Sequence, residues 1–129
     1  MGVGAHQILD KAFEANEAMP IYRFVKLVTA EDRDVDLCDS QGELAIGVVQ
    51  AEVTADDATN SRFVNVRMMG ASVVEANGSL TKFAEVTTDA AGKAELAATG
   101  DRVLGIALDD ASADTDLIAV LLTPAGRVV

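Results

Sequence analysis

Few side chains in this sequence are of the types that carry out chemistry. His6 is the single histidine and stands near the start of the chain. Neither a Ser-His-Asp triad elsewhere in the chain nor a His-rich metal site has a further imidazole to draw on. Cys38 is the single cysteine, so an internal disulfide is excluded. It has no neighbouring basic residue to lower its pKa, and it reads as a space-filler rather than a nucleophile. There is no glycine-rich phosphate loop, because Gly2-Val3-Gly4 is too short and badly placed.

Acidic residues offer more. Asp32, Asp34 and Asp36 alternate, and Glu43 falls at the twelfth position counted from Asp32, which is the ligand spacing of a calcium-binding EF-hand loop. The sixth position is Leu37, where that loop needs glycine, and flanking helices are not expected. An amphipathic strand is the better reading. The run from Asp109 to Asp116 could hold calcium weakly, but such runs more often make solvated connections. Paired carboxylates for glycoside hydrolysis have no singled-out candidates, and the aromatic platforms of a sugar cleft are scarce. The expectation is no catalytic residue, no metal site and no cofactor.

The elements that would position these groups follow from composition. The chain has 129 residues, half of them apolar, which allows one domain or two very small ones. Aromatics are 4%, so the core must be built from Val, Leu, Ile, Ala and Met. A formal net charge of −11 opposes binding to phosphate backbones or to anionic membranes. The N-terminus lacks the basic start and apolar stretch of a signal peptide. No apolar run approaches the roughly 20 residues that span a bilayer.

Ala5 to Met19 reads as a helix, with Ile8, Leu9, Ala12 and Phe13 on one face and Pro20 as its stop. It would either dock on its own domain or act as an arm that orders on a partner. From Ile21 onward, short β-branched runs separated by Asp, Ser, Asn and Gly read as strands. Residues 1–20 are thus expected to form an arm or helix, and 21–129 a β-domain.

That β-domain is internally repeated, over about 21–70 and 80–123. Arg23-Phe24-Val25-Lys26-Leu27 resembles Lys82-Phe83-Ala84-Glu85-Val86, a spacing of 59. Val35-Asp36-Leu37 matches Ala94-Glu95-Leu96 at the same spacing, which places Cys38 opposite Ala97. Gly42 to Val48 matches Gly100 to Ile106 at 58. An acidic loop follows each copy and ends in an alternating strand, Val64-Asn65-Val66 or Ile118-Ala119-Val120. The fold class is mainly β, a compact barrel or sandwich built from two repeats. Gly47 and Gly105 occupy equivalent places and mark a bend or a close backbone approach.

Two stretches carry a family resemblance. Phe83-Ala84-Glu85-Val86-Thr87-Thr88-Asp89-Ala90-Ala91-Gly92-Lys93-Ala94 is one. Gly100-Asp101-Arg102-Val103-Leu104-Gly105-Ile106-Ala107-Leu108-Asp109-Asp110-Ala111, ending in Ala119-Val120-Leu121-Leu122, is the other. Together they resemble the small capsid decoration, or cement, proteins of tailed phages, over roughly Ile21 to Thr123. The resemblance implies a structural virion protein, not an enzyme, made in the host cytoplasm and bound to the outer capsid surface. It implies a homo-trimer that stabilises contacts between subunits of the major capsid protein, with no nucleic acid or membrane as partner. Relatives often contact the shell through an extended N-terminal arm, from which a helical segment would depart. Capsid contacts are therefore expected at Ile8, Leu9, Phe13, Met19, Ile21 and Tyr22, by apolar docking or strand addition. The alternative is a virion-surface carbohydrate or host-binding module, for which Tyr22 and Phe63 are the aromatic candidates.

Overall fold

The N-terminal segment is not the expected helix. In the computed structural model, which describes residues 5–29, 33–123 and 128, His6–Ala15 is a strand, β1. Its buried side chains are Phe13 and Ala15, an alternation of period two, whereas Ile8, Leu9 and Ala12 lie exposed. A short apolar stripe gives a marginal helix. Pairing with a long neighbouring strand satisfies the same backbone groups and buries Phe13 as well, so tertiary context outweighs local propensity.

The remaining elements are β2 (Phe24–Leu27), β3 (Asp34–Leu37), β4 (Gly47–Val49), the short helix α1 (Ala55–Thr59), β5 (Phe63–Glu75), β6 (Glu85–Thr88), β7 (Ala94–Leu96), β8 (Gly105–Ala107) and β9 (Leu117–Leu122). The protein is mainly β and is built from two internal repeats, both visible in the pairing. β1 runs parallel to β3, and β3–β2, β2–β4, β4–β5 and β5–β1 are antiparallel, so five strands close a circuit. The second circuit runs β5–β9–β8–β6–β7 and is closed by a parallel bridge from Ala76, just after β5, to Ala94 of β7. In the first circuit, Ala15 bridges Val35 in the same way. β5 belongs to both: its first half ends one circuit and its second half begins the next.

The cores repeat position by position. Inside the first circuit are Phe13, Ala15, Met19, Val25 and Val35, then Val49, Val53, Val64 and Val66. Inside the second, Val74, Ala76, Leu80, Val86 and Ala94 take the first five places, and Ala107, Ala111, Ile118 and Val120 the other four. This register corrects part of the sequence reading. The later strands match as expected, but Val25 corresponds to Val86, not to Ala84, because both pair with the equivalent glycines 47 and 105. Phe83 therefore corresponds to Tyr22. Both have positive φ, 73° and 64°, and their amides donate to the equivalent carbonyls of Ala107 and Val49. Phe24, by contrast, is buried between the circuits with Cys38, Ala45 and Val48.

The strand reading of the alternating aspartates is correct, since Asp34 and Asp36 lie on β3. They do not simply face water: Asp34 is buried and Asp36 half-buried. Asp32 lies outside the described residues. At Gly47 an added Cβ would lie 2.3 Å from the Arg67 carbonyl oxygen, and at Gly105 2.5 Å from that of Leu121, so both glycines permit close passage of a neighbouring strand.

Alanine at Gly47 or Gly105 is expected to cost about 1–3 kcal/mol in chemical denaturation, as overpacked sites do. Gly78→Ala, where a Cβ meets nothing within 4 Å, should stay within about 0.5 kcal/mol. Deletion of residues 1–19 removes Phe13, Ala15 and Met19 from the first core and is expected to abolish the cooperative unfolding transition of the whole protein.

Candidate docking surface

Part of the acidic surplus is spent on turns. Glu43 accepts from the amides of Asp39 and Ser40 at 2.7 and 2.8 Å, and Asp101 accepts from Ala98 at 2.9 Å in the equivalent loop. Thr54 and Asp57 form a reciprocal capping box at the start of α1. Asp89 holds the amides of Ala91 and Lys93. Asp116 accepts from Ser112 and Ala113, and the Ser112 bonds hold its carboxyl below the ordinary carboxylate value. These carboxylates are engaged in shaping loops, and among the described residues no group of three metal-ligating side chains converges.

The nucleophile and acid–base candidates are equally constrained. Cys38 is buried, and burial, followed by the charge of Glu43, pushes its thiol up to about 12. It is a neutral thiol at physiological pH. Glu95 has a raised pKa, chiefly from burial and then from the charges of Asp89 and Asp101. Its Oε1 accepts from Asn77 at 3.1 Å, while Oε2 is buried without a partner. Asp36 occupies the equivalent place on β3, and its Oδ1 is also without a partner. These two carboxylates lie in separate circuits and do not form a pair.

The outer surface is apolar where β1, β5 and β9 run side by side. Leu9 stands opposite Met69, and Leu121 stands opposite Ala71 two residues further along β5. Leu9, Met69 and Leu121 are exposed, and Ile8, in the bulge of β1, is 70% exposed. A polar clamp flanks them. Asp10 receives Arg67 at 3.0 Å and Asn65 at 2.8 Å, with Asp10 and Arg67 both largely buried. The clamp ties β1 to β5 and so fixes the backbone that presents Ile8 and Leu9.

The six contact residues expected from the sequence therefore separate. Ile8, Leu9 and Ile21 are exposed and Tyr22 is half-buried, but Phe13 and Met19 fill the first core and have no surface to offer. Met69 and Leu121 join the exposed group. Their sequence signal was weak, since each sits in a strand that otherwise reads as core. Of the other aromatics, Phe63 is 55% and Phe83 81% exposed.

No family model matches the chain, and no curated protein matches it in sequence. A solved structure does match in fold: the N base of the head fiber of bacteriophage phi29. The likeness has a TM-score of 0.69 at 16% identity and covers 94% of this chain and 98% of that one.

The Glu95 carboxyl gives a pH test. Its folded pKa lies above the ordinary value, so its favourable contribution is present in acid and is lost as pH rises through the raised pKa. Glu95→Gln is expected to raise the melting temperature at pH 7 and to leave it unchanged near about pH 4. Thermal unfolding at the two pH values checks it.

Proposed function

We propose that this protein is a structural component of a tailed-phage virion that binds the outer surface of the capsid and stabilises contacts between subunits of the major capsid protein. The observation that carries the reading is the end-to-end fold likeness to a phage head-fiber base, which agrees with the decoration-protein resemblance of the two sequence stretches. Two physical features support it. Glu43, Asp89 and Asp116 are engaged in turns and Asp36 and Glu95 lie apart, which suits a role without catalysis and without a cofactor. The net charge of −11 suits a position outside the shell, away from packaged DNA.

The capsid contact is made by the exposed apolar strip on β1, β5 and β9, with Ile8 and Leu9 as its centre and Met69 and Leu121 beside them. Such a strip excludes water on docking, and its strength is multiplied by valency when copies assemble as a homo-trimer. An N-terminal strand also removes the departure from the family pattern that a helix would have made. A carbohydrate or host-binding role would draw on Phe63 and Phe83, the most exposed aromatic side chains.

Purified protein is expected to co-sediment saturably with expanded, undecorated capsids of its parent phage and not with unexpanded procapsids. Leu9→Asp combined with Met69→Asp should lower that binding at least tenfold while leaving the melting temperature within a few degrees. Binding unchanged by the double substitution would exclude the strip as the contact, and absence of binding to both shells would exclude the capsid role.

A further inference from the structure

The two repeats meet through a contact that one of them makes and the other leaves unmade. Between β6 and residues 102–104 there is a cleft in the second circuit. The peptide of Gly42, from the first circuit, fills it: the Gly42 amide donates to the Thr88 carbonyl at 2.9 Å, and the Arg102 amide donates to the Gly42 carbonyl at 3.0 Å. The fit is close, because a Cβ at Gly42 would lie 3.1 Å from the Asp101 backbone.

By the register of the repeat, Thr88 corresponds to Leu27 and Arg102 to Leu44. The equivalent cleft in the first circuit lies between β2 and residues 44–46, lined by Leu27, Leu44, Ala45 and Ile46 with Lys26 and Thr29 at its edge. Among the described residues, no backbone group bridges Leu27 and Leu44 across it. Its two leucines are each 49% exposed, an apolar cleft open to water.

The loop that would fit is also present and unused. Gly100 corresponds to Gly42, and both have positive φ, 93° and 76°. The carboxylate staple that shapes each loop is the same: Glu43 accepts from the Ser40 amide and Asp101 from the Ala98 amide. Yet a Cβ at Gly100 would meet nothing within 4 Å, so this second loop tip stands in open space.

We infer that the Gly100 loop of one copy inserts into the Leu27–Leu44 cleft of another, repeating between chains the contact that Gly42 makes within one. The occupant is a second copy of this chain, because the matching plug is already built into it. Such a contact is heterologous: loop and cleft are different surfaces, so copies join head to tail and close into a ring or continue as a filament. This deepens the homo-trimer part of the reading above, and it is measured on purified protein without capsids, so its failure and the failure of capsid binding are separable.

The test uses two variants of the full chain. Leu27→Glu with Leu44→Glu sets like charge against the Asp101 of an incoming loop and blocks the cleft. Gly100→Asn places a side chain at the loop tip in a residue type that tolerates positive φ. Light scattering at high concentration is expected to give an oligomer for the natural chain, at about 40 kDa for a closed trimer of 13.4 kDa chains. Each variant alone should be a monomer with an unchanged fold by circular dichroism. Mixing the two should give a one-to-one dimer, since one supplies a live loop and the other a live cleft. A natural chain that stays monomeric, variants that still assemble, or a mixture that does not pair would each overturn the inference.

Discussion

β5 is the constraint on which the rest of the structure depends. Thirteen residues of continuous strand serve β1 and β4 over the first half and β9 over the second. Gly70, with φ at +102°, sits at the hand-over, where an added Cβ would lie 2.3 Å from the His6 carbonyl oxygen. Because one strand edges both circuits, neither can be assembled without fixing half of the other. The layer between them strengthens this coupling. Phe24, Cys38, Ala45 and Val48 leave the first circuit outward and are buried in one cluster with the second core, including Leu104 and Leu122. Polar links join the same two bodies. Arg23 reaches the Ala91 carbonyl at 2.9 Å and Glu75 at 3.2 Å, and the Phe24 amide donates to Gly92.

Much of this was legible in the sequence because the repeat preserves pattern. The apolar-Gly-apolar strands around Gly47 and Gly105 keep glycine for a geometric reason, the passing backbone of β5 or β9, and that reason survives divergence. The spacing of Val35 and Ala94 was likewise readable. Two misreadings have one cause. Phe24 and Phe83 share a residue type but not a place, since one is buried between the circuits and the other stands exposed on a turn. Aligning them obscured the recurrence of Glu14-Ala15-Asn16 in Glu75-Ala76-Asn77, which marks β1 as the counterpart of the end of β5. That counterpart relation is what identifies residues 6–15 as a strand. Local periodicity alone gave a helix, because the exposed Ile8 and Leu9 complete a helical stripe without being part of the core.

The candidate site was half legible for the same reason. Apolar residues of the N-terminal segment serve two masters: Phe13 and Met19 hold the core, while Ile8 and Leu9 face water. A sequence shows that these residues are apolar but not which face of a strand they take. The Asp10–Arg67 clamp decides that by pinning β1 against β5 in one register. Of the acidic residues that suggested metal ligands, Glu43 and Asp116 secure loop backbones, and the Glu43 staple recurs at Asp101 in the second repeat. The apolar strip lies on one set of strands and the loop and cleft lie at other places, so the proposed shell contact and the proposed contact between copies draw on different residues.

The central claim is that a shared strand makes the two repeats a single cooperative unit. Native-state hydrogen exchange across a denaturant series tests it most directly, following the amides of Val25 and Val49 in the first circuit and Val86 and Ala107 in the second. The account requires all four to converge on one opening free energy with one denaturant dependence. Two separate isotherms, one for each circuit, would contradict it.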